Sequence, residues 1–296
     1  MKLATYRDGS RDGQLVVVSR DLRSAHYATT AAHTLLQALD DWNFIAPQLQ
    51  DLYVALNQGR ARHAFAFDPA RCMAPLPRAF QWLVADAEPA GSPAALPPLR
   101  QGCGAAFAGP TDEMLVSDEA LAPDFAPGLA VITGDLPTLA EPGQALDSIR
   151  LLMLCNDWRL RALEGGAGGA ESPSIQARPA TAFSPVALTL DELGPSWARG
   201  RLQATVEIGL NGRSSSVSES DATRWHFGQL IAQACRTRPL AAGSVLGMVL
   251  GTGEAARQEL PARTELRWGD RVRIEVRGRD GQSLFGAIEQ TLSDLG

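Results

Sequence analysis

Asp157 closes the run Leu151-Leu-Met-Leu-Cys-Asn-Asp157. A carboxylate placed directly after so apolar a stretch must be solvated, paired or bound to a metal, because an isolated buried charge is expensive. Pairing with Arg159 or Arg161 is the plain reading. Gln176 and Arg178 stand just before Pro179, where an arginine can clamp a carboxylate in bidentate geometry or simply pair with Asp157. Glu254 follows Gly251-Thr-Gly in a turn that is too short for a phosphate loop and lacks its lysine. The histidines are His26, His33, His63 and His226, so the chain between Ala64 and Trp225 has no imidazole to serve as base or ligand. His226, between Trp225 and Phe227 at a helix start, suits packing or capping better than catalysis. There is no Gly-x-Ser-x-Gly, no Cys–His arrangement and no metal-spaced histidine pair.

These residues need a scaffold, and the hydrophobic pattern supplies one. Leu15–Val18, Leu129–Ile132, Ile149–Leu154, Val186–Leu190 and Val245–Leu250 are short apolar runs of strand type. Arg201–Leu210 alternates and meets Asn211-Gly212, a strong hairpin signal. Arg271–Val276 alternates as well, turns at Arg279-Asp-Gly281, and predicts a returning strand over Ser283–Ile288. Residues 28–58 carry leucines at helical spacing, interrupted near Pro47, which predicts two helices; helical spacing returns over Trp225–Cys235. The tetrapeptide RDGQ at Arg11–Gln14 and again at Arg279–Gln282 is repeated turn chemistry, not a duplication. Two stretches, around 86–105 and 164–173, are rich in Pro, Ala and Gly and read as linker or exposed loop.

Composition narrows the function classes. The chain has 296 residues, 45% of them hydrophobic and 20% charged, with a net charge of −6. That excludes a disordered or fibrous protein and disfavours nucleic acid and anionic membranes as partners. Cys72, Cys103, Cys155 and Cys235 match no zinc or redox spacing and read as reduced thiols. The N-terminus has no apolar core of a signal peptide, and no apolar run is long enough to span a bilayer, so the expected location is the cytoplasm.

Several long motifs are similar to the fumarylacetoacetate hydrolase family. They are the N-terminal MKLATYRDGSRDGQLVVVSRDL, the stretch DDWNFIAPQLQDLY with Cys72-Met-Ala-Pro-Leu-Pro-Arg78, and Arg178-Pro-Ala-Thr-Ala-Phe-Ser-Pro185. His226–Ile231 and the segment from Gly269-Asp270 through Gly278–Ile288 resemble its bacterial branch. The resemblance implies an α+β, β-rich fold with a small N-terminal domain and a larger mixed β-roll domain, in a homodimer. The expected boundaries are 1–75 for the small domain, 76–110 for a linker or loop, and 111–296 for the fumarylacetoacetase-like domain. It also implies chemistry. Typical members hold Mg²⁺ or Ca²⁺ with an acidic-x-acidic strand motif and a later Asp, and a His–Glu pair activates water to hydrolyse a C–C bond. Hard cations want several oxygen ligands, and carboxylates at i and i+2 of a strand share a face.

Here the sequence departs from that pattern. The acidic-x-acidic motif falls on Ala126-Pro127-Gly128, so both carboxylates are missing, while the later Asp survives as Asp157. The segment that should hold the activating His contains none, and the lysine that commonly contacts substrate is replaced by Arg178, with Gln176 kept. Gly251-Thr252 is a slipped version of a Gly-Thr substrate contact. The expectation is a repurposed, metal-independent small-molecule enzyme acting on a β-keto or related polar metabolite, by cyclisation, isomerisation, decarboxylation or C–C cleavage. Asp157 and Arg178 are its catalytic candidates, and Gln176, Thr252 and Glu254 its substrate-binding candidates. No cofactor is expected beyond weak Mg²⁺ or Ca²⁺ binding at Asp157. The expected ligand carries carbonyl or carboxylate groups. The alternative is a non-catalytic pseudoenzyme that binds a metabolite or partner, and a metal-dependent C–C hydrolase ranks third.

Overall fold

The computed structural model describes residues 1–86, 99–164, 175–219, 225–250 and 265–296. Its first strands are β1 (Lys2–Tyr6), β2 (Gln14–Val18) and β3 (Ser24–Tyr27). Two helices follow, α1 (Leu35–Asp40) and α2 (Trp42–Asn57). Thr34 caps α1 by accepting from the backbone N–H of Gln37. The break between the helices is at Asp41, not near Pro47. Pro47 lies inside α2, which nevertheless buries Ile45, Leu49, Tyr53 and Leu56 along one face. That packing outweighs the loss of one helical hydrogen bond.

The chain continues through β4 (Phe65–Ala66), β5 (Trp82–Asp86), β6 (Leu99–Gly102), β7 (Met114–Val116), β8 (Pro123–Asp124) and β9 (Pro127–Thr133). Then come α3 (Pro142–Asp147), β10 (Ile149–Asp157), β11 (Arg159–Leu160), β12 (Thr181–Phe183) and β13 (Ala187–Leu188). The remainder is β14 (Trp197–Ala198), β15 (Arg201–Leu202), β16 (Thr205–Leu210), β17 (Arg213–Glu219), α4 (Phe227–Ala234), β18 (Val245–Val249), β19 (Arg271–Arg277) and β20 (Ile288–Asp294). Strands thus appear inside the stretch expected as linker: β5 pairs parallel with β18, and β6 pairs with β5. Pro and Ala richness concealed them, because it lies in residues 87–98, outside the described residues. The strand predicted over Ser283–Ile288 forms later, as β20; Ser283 makes only an isolated bridge to Arg277. The hairpin at Asn211-Gly212 is as expected, with both residues at positive φ, 52° and 79°.

One large sheet has the order β4-β3-β2-β1-β13-β10-β9-β18-β5-β6, with β12 also on β10. The N-terminal strands therefore join the larger domain's sheet through the β1–β13 pair. A second sheet runs β17-β16-β19-β20-β7. In the large sheet β9 and β10 are central, and side chains alternate between two cores. Leu129, Val131, Leu152 and Leu154 join one core, with the inner residues of the second sheet and α4. Ala130, Ile132, Leu151, Met153 and Cys155 join the other, with α1 and α2. Burying a Val, Leu or Ile contributes about 1.5–3 kcal/mol, so two strands covered on both faces anchor the fold whatever stands at their ends. Asp157 stands at such an end, in register with Cys155 and Met153, and thus on the second core's face.

Candidate functional site

Asp157 is 2% exposed, so its charge demands partners. It has three. Thr181, opposite it on β12, donates its hydroxyl to Oδ1 at 2.9 Å. Arg178 Nη1 and Arg100 Nη2, the latter from β6, approach Oδ2 at 3.3 and 3.4 Å. Buried Trp82 of β5 donates Nε1 to the Thr181 oxygen at 3.2 Å, completing a chain from indole to hydroxyl to carboxylate. Trp82 fits because Gly102 and Gly247 have no side chains: a Cβ on either would lie 2.2 Å from the indole.

Arg178 bridges two carboxylates, since its Nη2 also lies 2.9 Å from Glu164 Oε1. Its Nε is buried and has no hydrogen-bond partner among the described residues. Burial, then repulsion from Arg159 and Arg100, holds its pKa below the ordinary arginine range, with Asp157 and Glu164 opposing. Two guanidiniums, Arg100 and Arg178, therefore converge on Asp157, and Arg159 is close enough to Arg178 to repel it.

The neighbours of Asp157 fix it in place. Asn156 accepts from the backbone N–H of Ala126 and donates to Gln290 Oε1 at 3.1 Å. Trp158 donates Nε1 to the same Gln290 oxygen at 2.8 Å. Gln290, on β20, in turn donates to the carbonyl of Asp112. The residues on both sides of Asp157 are thus pinned to the second sheet, which preorganises the carboxylate between them.

Ala126 and Gly128 share the face of Asp157. The backbone N–H of Asp157 donates to the carbonyl of Ala126, and Gly128 pairs with Cys155. Gly128 is sterically closed to a side chain, because a Cβ there would lie 2.7 Å from the carbonyl oxygen of Met248 and 3.0 Å from Cys155 Sγ. The stretch Ala126-Pro-Gly128 is largely strand and wholly buried. Among the described residues no three His, Cys, Asp or Glu side chains stand together in a way that could hold a metal ion. Among the described residues the groups on Asp157 are the Thr181 hydroxyl and the guanidiniums of Arg100 and Arg178, a set that does not fit a hard cation.

Of the sequence candidates, Asp157 and Arg178 meet directly. Gln176 sits on the short helical turn Ile175–Ala177 just before Arg178 and is exposed. Thr252 and Glu254 lie outside the described residues. His226 stands at the start of α4, with its backbone N–H donating to Gln229 Oε1; burial and Arg201 lower its pKa. His26 bonds the carbonyls of Tyr27 and Arg62, a structural role. The four cysteines are free, with Cys103 exposed. Sequence reasoning missed Arg100, Thr181 and Trp82; of the two nearby arginines it offered Asp157, Arg161 lies 3.8 Å from Asp124 instead. A separate cleft of about 630 Å³, lined by Leu36, Phe80, Phe107 and Arg11 among others, includes none of the cluster.

This β-roll scaffold with a buried acidic–basic site defines a class. The fumarylacetoacetase N-terminal domain 2 profile matches residues 1–78, and the fumarylacetoacetate (FAA) hydrolase C-terminal profile matches residues 78–293. The chain belongs to the fumarylacetoacetate hydrolase family. A search of curated proteins gives no match. Among solved structures, a putative HpcE protein from Mycobacterium smegmatis superposes with a TM-score of 0.74 at 20% identity, covering 100% of both chains. The maleylpyruvate hydrolase of Sphingobium sp. SYK-6, in complex with manganese(II) and pyruvate, gives 0.70 at 16% identity over 99% of each chain. The fumarylacetoacetate hydrolase of psychrophilic Exiguobacterium antarcticum gives 0.70 at 18% identity, also over 99% of each. Among the described residues no helix is long and apolar enough to cross a membrane.

Proposed function

We propose that the chain is a cytoplasmic, homodimeric, metal-independent enzyme acting on a β-keto or related metabolite that carries a carboxylate. The observation that supports it most is the doubly bridged Arg178, which spans Asp157 and Glu164 from a largely buried position. In this reading Glu164 holds the place of a substrate carboxylate, which displaces it and takes Arg178 in the usual fork geometry. Arg100 and Arg178 then stabilise negative charge that builds on the substrate's carbonyl oxygen. Asp157, released toward the substrate, takes the proton from the carbon between two carbonyls and returns it elsewhere, an enolisation that serves isomerisation or cyclisation. Gln176, on the neighbouring turn, orients the substrate. The related structures include hydrolases and isomerases of keto acids and dioates, the same substrate class.

A second reading has its own support. Both Asp157 oxygens are already engaged, which suits a pseudoenzyme that binds a metabolite without turning it over. Metal-dependent C–C hydrolysis ranks below both, because the donor set lacks its carboxylates. The deciding experiment follows the ultraviolet absorbance of a panel of β-keto acids and acylpyruvates with the wild-type protein, Arg178→Ala and Asp157→Asn. The enzyme reading expects turnover that falls by about 10²-fold or more in both variants, the usual range for losing a positioned acid–base or charge-stabilising group. Turnover that both variants leave unchanged removes this site from the chemistry. Carboxylate binding without turnover favours the pseudoenzyme.

A further inference from the structure

We propose that Arg100 and Arg178 take the place of a divalent cation at Asp157, so that two fixed guanidiniums serve as the site's countercharge. The inference concerns the same site as the proposed function, but it makes a claim about ions that needs no substrate.

Three independent observations converge on it. The carboxylate is full: Thr181 occupies Oδ1, and the two guanidiniums face Oδ2 from different elements, β6 and the segment before β12. The positions that would supply further oxygens are closed as well as empty. Ala126 is 0% exposed, and Gly128 has backbone and Cys155 Sγ in the space a side chain would enter. Finally, Mg²⁺ sits about 2.0–2.1 Å and Ca²⁺ about 2.3–2.6 Å from its oxygen ligands. An ion there would lie between Asp157 and guanidiniums that already stand 3.3 and 3.4 Å from the same oxygen. Two positive groups and a dication so close repel strongly in a poorly solvated site. The ion and the arginines are alternatives, and this chain carries the arginines.

Arginine suits the task because its charge persists at every physiological pH and its planar donors lock onto oxygen. The substitution changes what the site can do. A guanidinium stabilises an oxyanion by hydrogen bonding but does not polarise bound water as a metal does. Such a site favours chemistry that needs an enolate over chemistry that needs hydroxide.

The test uses the full chain and two probes, Mn²⁺ and malonate. Titration calorimetry of metal-stripped protein with Mn²⁺ is expected to show no saturable binding tighter than about 1 mM, and melting in EDTA and in Mn²⁺ is expected to agree within ~1 °C. Asp157→Asn removes the carboxylate and leaves the guanidiniums facing one another, so malonate should raise its melting temperature more than it raises the wild type's. Saturable Mn²⁺ binding by the wild type that Asp157→Asn abolishes overturns the inference; equal binding by both places the ion elsewhere and upholds it. An Asp157→Asn variant that gains no malonate response overturns the countercharge role. If that variant fails to fold, Asp157→Ser replaces it in both comparisons. Failure here leaves turnover of keto acids untouched, and loss of turnover leaves the ion measurements untouched, so the two claims fail separately.

Discussion

Replacing Asp157 by Ala is the sharpest perturbation of this site. The variant deletes the acceptor of the Thr181 hydroxyl and the anion between Arg100 and Arg178, whose side chains are 16% and 12% exposed. Removing one partner of a buried ion pair typically costs about 3–5 kcal/mol. Two features reduce that figure. Both arginines have an edge at the solvent, and Arg178 keeps Glu164. Losing the Thr181 hydrogen bond adds about 1 kcal/mol. The expected destabilisation is therefore about 2–4 kcal/mol, or roughly 3–6 °C in melting temperature for a chain of this size. Arg178→Met leaves Asp157 with Arg100 and Thr181 and should cost less, about 1–3 kcal/mol. Because the two residues touch, the double variant should fall short of the sum by about 1–2 kcal/mol. Urea denaturation of the four proteins measures this cycle. Additive effects, or an Asp157→Ala change under about 0.5 kcal/mol, would refute the claim that Asp157 and Arg178 act as one unit.

Other perturbations test the surroundings. Gly128→Ala forces a methyl group against the Met248 carbonyl and Cys155 and should destabilise by about 2–3 kcal/mol, measured by thermal melting; a neutral result means that β9 does not approach β18 so closely. Trp82→Phe removes the indole donor to Thr181 and should cost about 1–3 kcal/mol in denaturant, whereas an unchanged midpoint would sever Trp82 from the site. Lys2 is the only lysine in the chain and is 3% exposed; burial pushes its pKa from 10.5 down to about 8. Since the unfolded chain holds that proton up to a higher pH, stability should rise with pH between about 8 and 10.5, and the penalty should be present in full below that window. Selective ¹⁵N-lysine NMR should give a midpoint near 8, and a midpoint near 10.5 contradicts the burial.

Much of the scaffold was legible in the residues. Apolar runs placed β2, β9, β10 and β18, and Asn211-Gly212 fixed a hairpin, because each rests on local pattern or turn chemistry. Asp157 stood out for a local reason too, a charge after a buried run. Arg100, Thr181 and Trp82 did not. They come from β6, β12 and β5, and only the order of strands in the large sheet brings them to the end of β10. A threonine or tryptophan in a strand looks like ordinary packing until its neighbour across the sheet is known. Two misplacements have similar causes. Tertiary packing carried α2 through Pro47, and the second sheet chose Ile288–Asp294 over the more hairpin-like Ser283–Ile288. The emptiness at Ala126-Pro-Gly128 was visible in the letters, but its steric closure by Met248 and Cys155 was not.

In the proposed function, this family scaffold presents a carboxylate-binding site built on Arg178 and Asp157 in place of a metal centre. Binding of acetopyruvate in EDTA, followed by tryptophan fluorescence, tests it most directly. The account predicts binding without metal that weakens at least about tenfold in Arg178→Gln, the loss expected for one charge-assisted contact. Binding that requires Mn²⁺, or that Arg178→Gln leaves unchanged, would contradict it.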